Sequence, residues 1–534
     1  MPKIFLSLLL GIYIQCNLVL DNGFLLKYFQ LILMLNKFIP YNLKLDELIE
    51  EFPPFIGMEL DKLIHIISLL NEIPAVDHKQ YEKEDGWIPI HSTYIQKAGI
   101  RDFPKYKNWL TEVGVLETDG RYIPGEKATY YRFREKYRQP IIVEPISKKT
   151  LIKALNKKSK TDLISQKLYK DLYKWYSGLQ IDVKAAEDYL LKKYELEKSK
   201  DVLNCLGKYN AGIINLNKIA NGQIHFTIDK SAGRLHHNLS NIQSSLRNFL
   251  TYQGQPLVTI DIKNSQPAIC TALLQPKFWE LDAVIEKQSN IVGTDNVITN
   301  GEKNLTINSD LKSEKIEKLK INGVLNVKHI GFKDLPDIFH KSIHISSTPI
   351  MLAELHQTLD MADIHQFIKV VSEGQLYEFM EEQIQLYNTS VSKAIKDYTR
   401  KEIKTIMFMV FFTDNRFIGQ KKATPKRIFK HIFPNVYKVL AMVKRNESKM
   451  LPLMLQKLES MIVLDRIAKR ISKECPKLPI YTIHDSITTT VGNEEYVQKV
   501  MKEEIQNAIG IFPSLSIEYW TPDAINIAAK TNVA

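Results

Sequence analysis

The chain reads as an α+β protein of several domains, and three observations predict this. Its 534 residues and 44% hydrophobic content exceed what one core holds. Most of its length places apolar residues at helical spacing, as in "YNLKLDELIEEFPPF" and "MELDKLIHIISLLNEI". Two short segments, "PLVTIDI" and "LPIYTIHDSITTTVG", are instead rich in β-branched residues and bounded by turn residues, so they read as strands.

Net charge and cysteine usage narrow the function classes. A charge of +12 suits a polyanion-binding surface without requiring one. Cys16, Cys205, Cys270 and Cys475 form no CxxC pair or cluster. They read as free thiols of a reducing cytoplasm, which excludes a disulfide scaffold and a cysteine-rich metal site. The opening "MPKIFLSLLLGIYIQCNLVL" has the look of a leader or anchor. Gln15, Asn17 and Asp21 interrupt it before a spanning length of ~20 residues. Residues 1–20 are therefore expected to be a buried helix or to lie upstream of the true start, with no membrane partner and a cytoplasmic location.

In chain order, residues 1–75 read as a helical N-terminal region. Residues 76–136 follow as helix, turn, the longer helix "FPKYKNWLTEVGVL" and a basic hairpin with turns at Asp119–Gly120 and Pro124–Gly125. That order resembles a winged-helix module, which would set a helix in a DNA groove and its wing on phosphates; such modules also serve as protein-binding elements. "EKYRQPIIVEPISKKT", with two prolines and mixed charge, reads as a connector. Residues 137–225 read as a basic helical region. From 226 to 534 the chain holds the chemically informative segments, interrupted at about 286–340 by an Asn/Lys/Thr/Gly-rich insertion.

Three segments share one logic. "SAGRLHHNLSNIQSSLRNFLTYQGQPLVTIDIKNSQPAI" ends a strand on Asp261, and "LPIYTIHDSITTTVG" turns on His484–Asp485. An ionised carboxylate is costly to bury unless paired or metal-bound, so two strand-end aspartates point to a shared cation site. The third segment, "TRKEIKTIMFMVFFTDN", repeats Arg400, Lys404, Phe408 and Phe412 every four residues along one helical stripe. Two cations one turn apart suit a triphosphate, and two rings beyond them suit a base and sugar. Taken alone the stripe reads better as an amphipathic core helix with a basic end.

The order "AGRLHHNLSNIQSS", "DIKNSQP", Arg400-x3-Lys404-x3-Phe408-x3-Phe412 and "HDS" resembles the palm and fingers motifs of family A DNA polymerases. More distantly it is similar to phage-type single-subunit RNA polymerases. The likeness spans roughly residues 233–490. It implies a right-hand fold with an antiparallel-sheet palm and helical fingers and thumb. It also implies template-dependent nucleotidyl transfer from nucleoside triphosphates onto a primer on a DNA template. Asp261 and Asp485 would be catalytic and hold two Mg²⁺ ions, or Mn²⁺ in their place. Arg400 and Lys404 would bind triphosphate, with Phe408, Phe412 and Gln266 lining the nucleotide pocket. Gly233, Arg234, Asn241, Gln243 and Arg247 match the segment that touches template and primer, with His484 near the primer end and Gln456 of "LQKLES" reaching the duplex. Such a compact enzyme would suit replication of a phage or mobile element.

Sugar choice stays open at this level. Ser265 and Gln266 stand two residues further from Asp261 than in the family, and Pro267–Ala268 replace its Ile-Glu. Phe412 lacks a tyrosine's hydroxyl and favours deoxynucleotides, whereas "HDS" is the RNA-enzyme form. The alternatives are a single-subunit RNA polymerase or primase-like enzyme, and a non-catalytic winged-helix initiator with a relic palm.

Overall fold

The computed structural model describes residues 34–76, 86–121, 123, 127–156, 165–279, 329–335, 347–390, 398–416, 418–445 and 447–523. The expectations for residues 1–20, for the turn at 124–125 and for all but 329–335 of the insertion lie outside these. The described chain mixes helices with antiparallel sheet and divides into two units. Among the described residues no helix is long and apolar enough to cross a membrane.

The first unit takes residues up to 227, 236–256 and those from 520 onward. Its first element is a strand, β1 (Leu35–Pro40), in the region expected to be helical. β1 pairs antiparallel with β5 (Ile141–Ile146) in register Leu35↔Ile146 to Pro40↔Ile141. The segment read as a connector is thus a strand. Its β-branched Ile141–Ile142–Val143 run favours extension, and Pro145 is tolerated because a two-stranded ribbon has edges that need no donor.

Helix α1 (Leu60–Val76) packs on β1, and every residue of it from Leu63 through Asn71 is buried. β2 (Ile88–Pro89), α2 (Ser92–Lys97), α3 (Phe103–Glu112), β3 (Leu116–Thr118) and β4 (Tyr130–Phe133) follow, with sheet order β2-β4-β3. Tyr106 and Trp109 of α3, Tyr131 and Phe133 of β4, and Ile64 and Ile67 of α1 share one hydrophobic core. Further on, β6 (Leu179–Ile181), α4 (Val183–Ser199) and α5 (Cys205–Ala220) follow, and α5 packs on both α1 and α4. The Asp182 carboxylate caps α4 by accepting from the Ala185 N–H at 3.1 Å. The hairpin of β7 (Phe226–Ile228) and β8 (Leu235–His237) leads through a 3₁₀ turn, Ser244–Phe249, to β9 (Leu250–Tyr252), which pairs with β6.

The second unit holds residues 228–235 and 257–519. From residue 257, β10 (Gln255–Ile262) runs into a buried antiparallel array with β12 (Ser486–Thr490), which in turn pairs with β11 (Ile480–Ile483); β13 (Leu515–Trp520) pairs with β10. Leu257, Val258, Ile260 and Ile487 are fully buried, and the Thr488 hydroxyl donates to Thr259 Oγ1 at 3.1 Å between the strands. Around this array lie α6 (Ser265–Cys270), α7 (Leu376–Ser390), α8 (Arg400–Phe412) and α9 (Met450–Ser460), which continues as a π-helix over Met461–Ala468. α9 packs against both α6 and α8.

Candidate active site

Strand register brings the two aspartates together. Asp261 stands opposite Ser486 on β12, and Ser486 follows the two-residue turn His484–Asp485 that closes the β11–β12 hairpin. His484 takes φ 53°, a left-handed conformation that tightens this turn and sets Asp485 beside β10. The Asp261 and Asp485 carboxyls lie close enough to interact, and both are half-buried. Burial, then the neighbouring Asp485 charge, pushes the Asp261 carboxyl up to about 7. Burial likewise raises Asp485, against the Ser265 hydroxyl and the Arg234 cation, which both favour its charged form.

A third acid, Glu459 at the end of α9, belongs to the same group. It is 2% exposed. Its Oε1 lies 2.6 Å from Arg234 Nη2, and its Oε2 accepts from Gln266 Nε2 at 2.5 Å. Burial raises its pKa to about 7 against the pull of Arg234, and the Asp485 charge adds to the rise. The motif residues Arg234 and Gln266 are therefore held by one carboxylate that the sequence reading left aside. "LQKLES" offered a signal: Glu459 shares its helix face with Leu455, Ile462 and Val463, an apolar setting in which a lone acid needs a partner.

Arg234 is delivered by a tight turn. Asp229 Oδ1 accepts from the Ser231 N–H, the Ser231 hydroxyl and the Ala232 N–H, and its Oδ2 from the Arg234 N–H at 3.1 Å. Burial opposes ionisation of Asp229, but these donors, led by the Ser231 hydroxyl, hold its pKa at about 2. Gly233 takes φ 71°, and a Cβ there would come 2.8 Å from Lys457 Nζ. Ser460 donates to the Gly233 carbonyl, so the turn is fastened to α9 at two adjacent residues.

Gln266 is delivered by a second left-handed residue, Asn264, at φ 53°, after which α6 starts at Ser265. Lys263 and Asn264 thus form the turn between β10 and α6. Lys263 N–H bonds the Ser514 carbonyl at 2.9 Å and anchors that turn.

Helix α8 carries the predicted stripe. Thr399 and Glu402 form a capping box at its start, with Glu402 Oε2 accepting from the Thr399 N–H at 2.9 Å. Ile403, Ile406, Met407, Val410 and Phe411 are buried, while Arg400, Lys404 and Phe408 are exposed and Phe412 is half-buried. Phe408 and Phe412 stack at 4.8 Å, and Arg400 bonds Glu378 of α7 at 2.9 Å over the Tyr377 ring. At the far end, two buried lysines seize the helix's terminal carbonyls. Lys444 Nζ donates to the Val410 and Thr413 carbonyls at 2.7 and 2.5 Å, and Lys426 Nζ donates to those of Thr413 and Asp414. Burial, then the Lys426 charge, lowers Lys444 to about 7.

The remaining predicted contacts are divided between the units. Gly233, Arg234, Gln456 and His484 lie in the second, with Gln456 half-buried on α9; Asn241, Gln243 and Arg247 lie in the first. There the Gln243 amide donates to the Lys208 carbonyl at 2.5 Å. Asn241 Oδ1 accepts from the Ser240 hydroxyl at 3.5 Å, and Arg247 donates to the Leu239 carbonyl and lies over the Trp520 ring.

No family model matches the chain, and no curated protein matches it. Among solved structures, the POL domain of Pol1 from M. smegmatis, in complex with DNA primer-template and dNTP, is similar at 13% identity with a TM-score of 0.30, over 70% of this chain and 73% of that one. A likeness of that degree carries no weight for the chemistry, which rests on the geometry above.

Proposed function

We propose that the protein is a template-dependent nucleotidyltransferase, a DNA polymerase of family A type, whose first unit includes a winged-helix-like DNA-binding module. The observation that carries the reading is the adjacent pair of half-buried carboxylates, Asp261 on β10 and Asp485 in the β11–β12 turn.

The donor set fits magnesium. Among the described residues no group of three His, Cys, Asp or Glu forms a closed metal cage. A two-carboxylate oxygen site is what Mg²⁺ uses when substrate phosphates complete its shell. Asp261 and Asp485 would hold the two ions, which when bound supply Lewis-acid activation of a 3′-hydroxyl and neutralisation of phosphate charge. The chain's own residues do the rest. Lys404 and Arg400 bind the triphosphate, Phe408 and Phe412 offer a stacked apolar wall to the nucleoside, and Arg234 reaches the primer end from its place on Glu459. In the first unit, α3 exposes Pro104, Lys105 and Asn108, and Arg121 is exposed beyond β3. These would meet a groove and phosphates respectively.

The reading is tested by extending a labelled primer on defined templates with Mg²⁺ and either dNTPs or NTPs. Incorporation that tracks the template base supports it, and dNTP use distinguishes it from the RNA-polymerase alternative. Absence of extension with both nucleotide sets would remove it.

A further inference from the structure

Lys263 enters the site so far only through its backbone, yet it follows Asp261 by two residues, about 7 Å of extended chain. The surrounding contacts fix where its side chain runs. Ser514, whose carbonyl accepts the Lys263 N–H at 2.9 Å, bonds the Ser372 carbonyl through its own N–H at 3.0 Å and its hydroxyl at 2.9 Å. The bare face of Gly374, in the turn before α7, receives the lysine stem: a Cβ there would stand 3.1 Å from Lys263 Cδ and 3.1 Å from Ser514 Cβ. Lys263 is exposed, and its ammonium ends near enough to Glu378, four residues beyond Gly374, for the two charges to interact.

Glu378 is where two cations from different elements converge. Its Oε1 lies 2.9 Å from Arg400 Nε at the start of α8, in a pair whose side chains are 63% and 52% exposed. Burial opposes ionisation of Glu378, but the Arg400 hydrogen bond and its own backbone, then the Arg400 and Lys263 charges, hold its pKa down. An ion pair this open to water is weakly held, so an anion of several charges with more acceptor oxygens displaces the carboxylate.

The same residues join the two halves of the site. From Asp261 the chain leads in two residues to Lys263, whose charge meets Glu378, which bonds Arg400. A triphosphate with one end at the Asp261–Asp485 pair and the other at Arg400 therefore has Lys263 beside it.

We propose that Lys263 is a further phosphate-binding residue of the nucleotide site, and that Glu378 is the anion which the triphosphate displaces from Lys263 and Arg400. The inference rests on the nucleotidyltransferase reading for the identity of the substrate.

The test is isothermal titration calorimetry on the full chain in Mg²⁺ with dATP, dCTP and inorganic tripolyphosphate, beside primer extension by the same preparations. Lys263→Met keeps the stem over Gly374 and removes the charge. It should weaken all three ligands by a similar factor, about tenfold, with unchanged thermal melting, and Lys263→Arg should restore most of the affinity. Glu378→Gln, at an exposed side chain, should tighten tripolyphosphate about threefold because the competing carboxylate is gone, whereas a purely structural glutamate would give no gain. The proposal is overturned if Lys263→Met binds as the wild type does, if it loses dATP and dCTP but keeps tripolyphosphate, if Glu378→Gln fails to tighten binding, or if the wild type binds none of the three. The two readings fail separately. Binding that depends on Lys263 without primer extension by the wild type would remove the polymerase and leave the phosphate site; extension with binding indifferent to Lys263 would do the reverse.

Discussion

Arg234 and Glu459 form a 2.6 Å ion pair, with the glutamate 2% exposed, and Glu459 also holds Gln266. One buried acid therefore positions both the turn 229–234 and the start of α6 around the Asp261–Asp485 pair.

Removing that acid should be costly. Glu459→Ala leaves a largely buried guanidinium and an amide without their acceptor, a loss of about 3 kcal/mol. Urea denaturation measures it, and Glu459→Gln should recover part of the stability because its carbonyl still accepts from one of the two donors.

Gly233→Ala isolates position from stability. The residue's φ of 71° means that alanine strains the turn carrying Arg234, at a cost of about 1 kcal/mol, while Lys457 Nζ, 2.8 Å from the added Cβ, is a flexible end that swings aside. Primer extension should fall by much more than that stability loss accounts for.

The lysine clasp on α8 gives a third prediction. Lys444→Met removes the lysine donor from the Val410 carbonyl inside the protein and leaves Thr413 with Lys426 alone, which costs about 1–3 kcal/mol. Because those carbonyls end the helix that bears Lys404 and Phe408, the KM for nucleotide should rise in the same variant.

Acid sensitivity of the first unit should trace to His65 and Glu72. His65 is 1% exposed with neither ring nitrogen partnered, and burial, then Lys37, lowers its pKa from 6.5 to about 3. Below 6.5 the unfolded chain binds a proton that the folded chain refuses, so stability falls as pH drops from 6.5 towards 3. Burial opposes ionisation of Glu72, but the Lys37 and Lys218 charges lower its pKa from 4.5 to about 2, extending the loss below 4.5. His65→Leu should flatten the slope between 6.5 and 4.5 in denaturation curves and lessen it between 4.5 and 3, leaving the loss that remains below 4.5 to Glu72.

Lys105→Ala and Arg121→Ala test the DNA-binding reading of the first unit. Each should lower the slope of log affinity against log salt by about 0.9, the share of one phosphate contact on duplex DNA. Point substitutions are required because Tyr106, Trp109 and Tyr131 belong to the core shared with α1.

What the sequence disclosed follows from where each signal is written. The β10 strand and the β11–β12 hairpin are legible because each is a short apolar run ending at an aspartate or its turn, and the α8 stripe because its period is local. Glu459 was legible only in part: "LQKLES" sets an acid on an apolar helix face, but its partner Gln266 lies 193 residues away and is not written there. The β1–β5 ribbon was hidden for a different reason. Its prolines read as breaks, and only the pairing of Leu35–Pro40 with Ile141–Ile146 places them on edges where they do no harm.

Asp261 and Asp485 together are proposed to form the reacting centre. Primer extension with Mg²⁺ by the wild type, Asp261→Ala and Asp485→Ala tests this directly, with circular dichroism confirming that each variant folds. Template-directed extension is expected from the wild type, and its loss, by on the order of 10³-fold or more, in both variants. Equal extension by all three would contradict it.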